Sequence, residues 1–193
     1  MKKYILALGL SLLTVLGLFT GCSPKAETAS DSDSLKIVAT IFPEYDWVRQ
    51  VLGNRAGEVE LTLLLDSGTD LHSYQPTAAD MLTIGECDLF LYNGGESDAW
   101  VERVLATAAN PDRRTLSVME VLGDSVLEEE VVEGMQEAED HDHAEGEAHE
   151  EEADEHVWLS LRNARTACAE IARVLGELDP DHAAEYRTNA ENY

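Results

Sequence analysis

Short, continuously apolar runs alternate with helix-length amphipathic stretches along this chain, and that alternation constrains the fold more than any other feature. The run LKIVATI at 35–41 is rich in β-branched residues and almost continuously apolar, as a strand covered on both faces should be. Pro43 opens a helix pattern through Val48, Val51 and Leu52 that Gly53 and Asn54 close. Residues 59–65 read as a second strand, and 77–86 as a helix with Thr77 as its N-cap. DLFLY at 88–92 is a third strand, stopped by Asn93-Gly94-Gly95. Residues 97–109 are helical by pattern, with Trp100, Val101, Val104, Leu105 and Ala108 on one side, and 114–118 make a fourth short strand. Such alternation implies parallel βαβ units with right-handed crossovers, so the expected fold is a small doubly wound α/β lobe at 35–123. Ligands of such sheets gather beyond the carboxyl ends of the strands.

The pattern resumes at His156 after a long interruption. Leu161, Ala164, Cys168, Ile171, Leu175 and Leu178 recur at three- and four-residue spacing, which is an amphipathic helix with Cys168 on its buried stripe. Asp179 and Pro180 form an N-cap and first-turn pair for another helix, whose face is Ala183, Tyr186, Ala190 and Tyr193.

The beginning of the chain does not belong to the lobe. Lys2 and Lys3 precede an apolar stretch at 5–19 that is shorter than the roughly 20 residues a spanning helix needs, so 1–21 reads as an export signal. Phe19-Thr20-Gly21-Cys22 resembles the bacterial lipobox, in which the Cys becomes the lipidated first residue, although Leu is more usual than Phe19 at its position. Residues 22–34 are then a Ser/Asp/Ala-rich tether. The expected location is the extracytoplasmic face of the cell membrane. Cys87 and Cys168 remain, either paired in an oxidising compartment or inert buried thiols.

Charge narrows the partners. The 193-residue chain carries a net charge of −26, and residues 124–155 hold 16 of its 39 acidic residues with no Lys or Arg. Outside that run the balance is still −10, which repels phosphate backbones and excludes nucleic-acid binding. The run has almost nothing to bury after Met135, so 124–155 is expected to be a disordered acidic loop.

Two constellations carry chemistry. GTDLHSYQPT at 68–77 follows the second strand and offers one imidazole, His72, in a loop whose exit Pro76 and Thr77 fix. The run at 139–156 sets His141, His143, His149 and His156 among carboxylates. Neutral imidazole is the commonest protein metal ligand, and His-rich tracts read as metal-binding by composition, but the loose spacing fixes no geometry. Imidazole suits zinc, copper and nickel, whereas all-oxygen sites suit calcium, magnesium and manganese.

The combination of GTDLHSYQPT, DEHVWLSLRNA at 154–164 and an acidic His-rich loop between them resembles the zinc ABC-importer binding proteins of the ZnuA and AdcA type. CDLFLYNGGESDAW at 87–100 is also similar to theirs, and the likeness runs from the lipobox to the last residue. Leu71 stands where Pro is frequent, and Gln75 where Glu is. The resemblance implies a two-lobed metal-binding protein with the ion in the cleft. His72 and His156 would be ligands from this lobe, and residues 179–193 the start of an interlobe helix. The remaining ligands would come from a C-terminal lobe beyond this sequence. It further implies Zn2+ as cargo, with Mn2+ the alternative, and an ABC permease and ATPase as partners. His141, His143 and His149 would be auxiliary metal binders.

Two other readings stay in view. A surface lipoprotein that buffers metal or acts as an adhesin would use the His-rich loop and carry the lobe passively. An enzyme is disfavoured, because no nucleophile elbow, phosphate loop or HExxH motif occurs.

Overall fold

The computed structural model describes residues 34–66, 68–107, 110–128 and 153–193. The expected signal segment, Cys22 and most of the tether lie outside them, as do His141, His143 and His149. The compact unit Leu35–Tyr193 is built on four parallel strands: β1 (Lys36–Ala39), β2 (Glu60–Leu63), β3 (Leu89–Tyr92) and β4 (Arg114–Ser117). Their spatial order is β2-β1-β3-β4, with Val38 opposite Thr62 on one side and Phe90 on the other. Successive connections leave β1 in opposite directions, so the sheet reverses at β1, as a doubly wound sheet does.

Both faces of the sheet are covered, which explains why the central strands β1 and β3 are largely apolar without alternation. Ile37, Ala39, Leu89, Leu91 and Leu116 point to one face. There they meet α1 (Phe42–Leu52) through Trp47, Val48, Val51 and Leu52, and the long helix α5 (Leu161–Leu178) through Cys168, Ile171 and Leu175. Tyr186 of α6 (Ala183–Asn192) completes that layer. Val38 and Phe90 point to the other face. They pack on Ile84 of α2 (Ala78–Glu86), on Val101 and Val104 of α3 (Val101–Leu105), and on Leu65, Leu71 and Tyr74. Among the described residues no helix is long and apolar enough to cross a membrane.

Cys87 and Cys168 are free and buried in different layers, and burial pushes their thiols up to about 12 and about 11. Of the two readings of this pair, inert thiols hold.

The expected helix N-cap at Thr77 is present as a reciprocal box. Its hydroxyl accepts the Asp80 N–H at 3.2 Å, and Asp80 accepts the Thr77 N–H at 2.8 Å. Three local expectations are corrected. The strand read at 35–41 ends at Ala39, because the Ile41 N–H is taken by the carboxylate of Glu44 at 3.3 Å. The helix read at 97–109 splits into a 3-10 turn at Glu96–Asp98 and α3, since Asp98 and Ser97 are bound to groups outside any helix. Asp179 and Pro180 take the expected N-cap and first-turn positions, but of a 3-10 turn at Pro180–His182 before α6, and the Asp179 carboxylate accepts from His182 Nδ1 and the Tyr186 hydroxyl rather than from a backbone N–H. A short helix α4 (Val118–Leu122), capped by Ser117, directly follows β4.

Most of the run expected to be a disordered loop, 129–152, lies outside the described residues, and its two described ends pair with each other. Glu128 and Ala153 form an antiparallel bridge, and the Asp154 N–H donates to the carbonyl of Leu127 at 2.8 Å. Part of the backbone of both ends is thereby paired, which composition alone does not foretell.

Candidate metal centre

Two loops meet at the carboxyl edge of the sheet. The first leaves β2, and its neighbours in sequence hold His72 out. Leu71 and Tyr74 sink into the second core layer, where Tyr74 lies edge-on to Trp100 at 5.5 Å and donates its hydroxyl to Asp80 at 2.9 Å. Between these two plugs the His72 side chain is 56 % exposed. The second loop leads from the Glu128–Ala153 bridge to α5. The side-chain amide of Asn93, just past β3, donates to the Glu155 carbonyl at 2.8 Å. Val157 is buried, and its carbonyl accepts the Asn163 amide at 3.1 Å, which fixes the entry to α5. His156, between these anchors, is 43 % exposed.

The structure brings His72 and His156 together, with ring centroids 5.7 Å apart and planes inclined at 55°. Two imidazoles about 2.0–2.1 Å from one tetrahedral zinc would place their centroids about 5 Å apart. A small closure would therefore let both rings share an ion. Trp158 lies beside His156 at 5.3 Å between centroids, so apolar surface borders the gap.

Each ring has its Nδ1 occupied. His156 Nδ1 is 2.9 Å from Oδ1 of Asp154, the oxygen that also accepts the His156 backbone N–H at 2.8 Å. That backbone bond first, and then the ring, holds the Asp154 carboxyl below its ordinary value. His72 Nδ1 is 2.9 Å from the hydroxyl of Ser97 and 3.9 Å from the carboxylate of Glu155. Nε2 is left as the second nitrogen of each ring, the arrangement that metal-ligating histidines usually show.

Beneath the rings the site is acidic and tightly packed. Glu155 has only 11 % of its side chain exposed and accepts both the backbone N–H of Ser97, at 2.9 Å, and the Ser97 hydroxyl. Gly95, at φ 80°, makes room for it, because a Cβ there would stand 2.3 Å from the Glu155 carboxylate. Asp98 accepts the Gly94 N–H at 2.9 Å, and burial, with the charge of Glu155 adding to it, pushes its carboxyl up to about 6. Glu44, fully enclosed beside β1, is pushed by burial to about 8. Among the described residues no group of three or more His, Cys, Asp or Glu is placed to hold a metal ion. The described part of the site thus offers two imidazoles, and a four-coordinate ion needs further ligands.

Residues 37–193 match the model of the family described as ZnuA, zinc-uptake complex component A, periplasmic. The chain belongs to this family. It is 32 % identical over 194 residues to the zinc-binding lipoprotein AdcA of Streptococcus pneumoniae, covering all of this chain and 35 % of that one. The Zn(II)-bound ZnuA-like domain of the same AdcA matches it with a TM-score of 0.61 at 28 % identity, over 83 % of this chain and 50 % of that domain. A manganese-bound periplasmic metal-binding protein of Candidatus Liberibacter asiaticus matches with a TM-score of 0.61 at 25 % identity, over 81 % and 50 %. The chain therefore spans about a third of AdcA and about half of these solved structures. The fold is the α/β lobe of metal-binding solute-binding proteins, as the motif resemblance implied.

Ser97, Asp154 and Glu155 are site-edge residues that sequence reasoning did not single out. Asp154 and Glu155 sat inside the run read as a loop, and only their position directly before His156 set them apart from the other acids. Ser97 carried no signal of its own. His182, by contrast, lies in another part of the molecule, with Asp179 at 2.8 Å and Arg55 at 2.9 Å.

Proposed function

We propose that this chain captures zinc outside the cytoplasm for an ABC importer, with His72 and His156 as two of the ion's ligands. The observation that carries this reading is the 5.7 Å approach of two half-exposed rings from loops far apart in sequence, each with Nδ1 tethered and Nε2 left over. Zinc suits imidazole nitrogen, and the family's described role is zinc uptake. The permease and ATPase of the importer are the partners, and the ion is cargo rather than a catalytic cofactor. Cys22 anchors residues 22–34 to the membrane after a signal at 1–21 is removed. His141, His143 and His149, in the acidic loop, raise the local metal concentration beside the site.

Manganese is the second reading, because a relative of this fold is manganese-bound. Competition titration of the purified chain with zinc and with manganese separates the two. The expected result is tighter binding of zinc, with affinity falling as pH drops through the usual imidazole range near 6.5, because only the neutral ring binds. A preference for manganese, or unchanged zinc affinity in His72→Ala, contradicts the proposal. For the anchor, Cys22→Ala is expected to leave the protein unprocessed or free of the membrane fraction. A shortened, mature form that still sediments with membranes refutes it.

A further inference from the structure

We infer that Ser97 and Glu155 form a proton-directing couple that selects the metal-competent tautomer of His72. The inference rests on the reading of His72 as a ligand, and it assigns the two residues a positioning role, since neither offers an atom to the ion through His72 Nε2. The argument is a count of protons. Ser97 has one hydroxyl proton, and its Oγ stands between two partners, Glu155 Oε2 and His72 Nδ1. An ionised carboxylate only accepts, and its other oxygen already accepts the Ser97 backbone N–H at 2.9 Å. The hydroxyl proton therefore lies toward Glu155, and Ser97 Oγ is left as an acceptor facing the ring. His72 can satisfy it only by carrying its proton on Nδ1, which places the lone pair on Nε2. Outer partners that fix tautomer and ring orientation typically contribute 10–100-fold in metal affinity.

The packing shows that the couple is built in. Glu155 is 11 % exposed at its side chain, its carbonyl is held by Asn93 at 2.8 Å, and any side chain at Gly95 would collide with its carboxylate. His156 reaches the same end differently, because Asp154 accepts directly from its Nδ1 at 2.9 Å. One ring is set by a carboxylate alone and the other by a carboxylate acting through a hydroxyl.

Glu155→Gln reverses the couple. The new amide N–H donates to Ser97 Oγ, the hydroxyl proton turns toward His72, and Nδ1 must accept, so the ring's proton moves to Nε2 where the ion should bind. Long-range 1H–15N NMR correlations of the metal-free chain, at a pH above imidazole titration, read the tautomer without any metal present. The expected result is Nδ1–H for His72 in the natural chain, a shift toward Nε2–H in Glu155→Gln, and a mixture in Ser97→Ala. Zinc affinity, by competition with a chelating dye, should fall 10–100-fold in Glu155→Gln. An Nε2–H tautomer in the natural chain overturns the inference before any variant is made. So does a Glu155→Gln chain with weaker zinc binding and an unmoved tautomer, the signature of Glu155 acting as a ligand itself. Neither outcome touches the role of His72, which fails separately if His72→Ala binds zinc as tightly as the natural chain.

Discussion

Among the described residues histidines are held in two ways, at the carboxyl edge of the sheet and at the seam between α1 and α6. At the edge, His72 Nδ1 lies within hydrogen-bond distance of Ser97 Oγ and His156 Nδ1 of Asp154 Oδ1, and the side chains stay 56 % and 43 % exposed. At the seam, His182 has both nitrogens engaged. The guanidinium of Arg55 can only donate to Nε2, at 2.9 Å, so Nδ1 donates to Asp179 at 2.8 Å. Tyr186, inside the same knot, donates to Asp179 and receives Arg55 at 3.2 Å. A ring with both nitrogens spent is a structural cross-link, whereas one with a single nitrogen held is oriented but available.

The carboxylates of the two regions are driven in opposite directions. Burial lifts Glu44 and Asp98 near the edge to about 8 and about 6. At the seam burial also lifts Asp179, but hydrogen bonds from Tyr186 and His182 and the charges of His182 and Arg55 bring it below its ordinary value. The edge thus keeps acids whose ionisation burial disfavours, while the seam uses an ionised one as glue.

The largest expected contrast comes from exchanging alanine between the regions. His156→Ala should weaken zinc binding on the order of a hundredfold or more, beyond what outer-partner changes cause, and leave thermal stability nearly unchanged. His182→Ala should do the reverse, lowering the melting temperature at constant zinc affinity. If isothermal titration finds His182→Ala as damaging to zinc binding as His156→Ala, the two regions do not differ as described.

Next in size is the seam alone. Tyr186→Phe keeps the buried ring but removes one hydrogen bond each from Asp179 and Arg55, which keep His182 and each other as partners, a loss of about 0.5–1.5 kcal/mol. Urea denaturation checks it, and a midpoint equal to the natural chain's would show that the knot contributes nothing.

The pH dependence of stability splits by region. A carboxyl raised in the fold binds its proton more tightly than when unfolded. Glu44, raised from 4.5 to about 8, therefore makes stability fall as pH rises across that window, by at most about 1.4 kcal/mol per pH unit. Asp179, lowered in the fold, acts oppositely: its contribution is present above the ordinary carboxyl range and is lost as pH falls through its folded value. Glu44→Gln should flatten the decline between pH 5 and 8, and denaturation at three pH values measures it. An unchanged slope would show that Glu44 is not the group responsible.

What could be read from sequence follows the reach of the interactions. The βαβ order, the Thr77 cap and the buried stripe of α5 are local patterns, and all three are present. His72 and His156 came from motif resemblance, since nothing in their spacing sets two residues 84 positions apart beside each other. Glu155 was hidden because it is one acid among many in a run of uniform composition, and its work depends on Ser97, 58 residues away. Asp179 shows the complementary limit: Asp before Pro gives its N-cap position, but its side chain is taken by His182, Tyr186 and the distant Arg55, which no local signal announces. Asp98 carries no mark of its own in the sequence, and only the fold reveals that it is buried.

The central claim is that His72 and His156 bind the same zinc ion. X-ray absorption at the zinc edge, on the chain loaded with one equivalent, tests it most directly. The predicted spectrum shows two imidazole nitrogens at about 2.0–2.1 Å, and one in each of His72→Ala and His156→Ala. A first shell of oxygen alone, or an imidazole count that neither substitution changes, would contradict it.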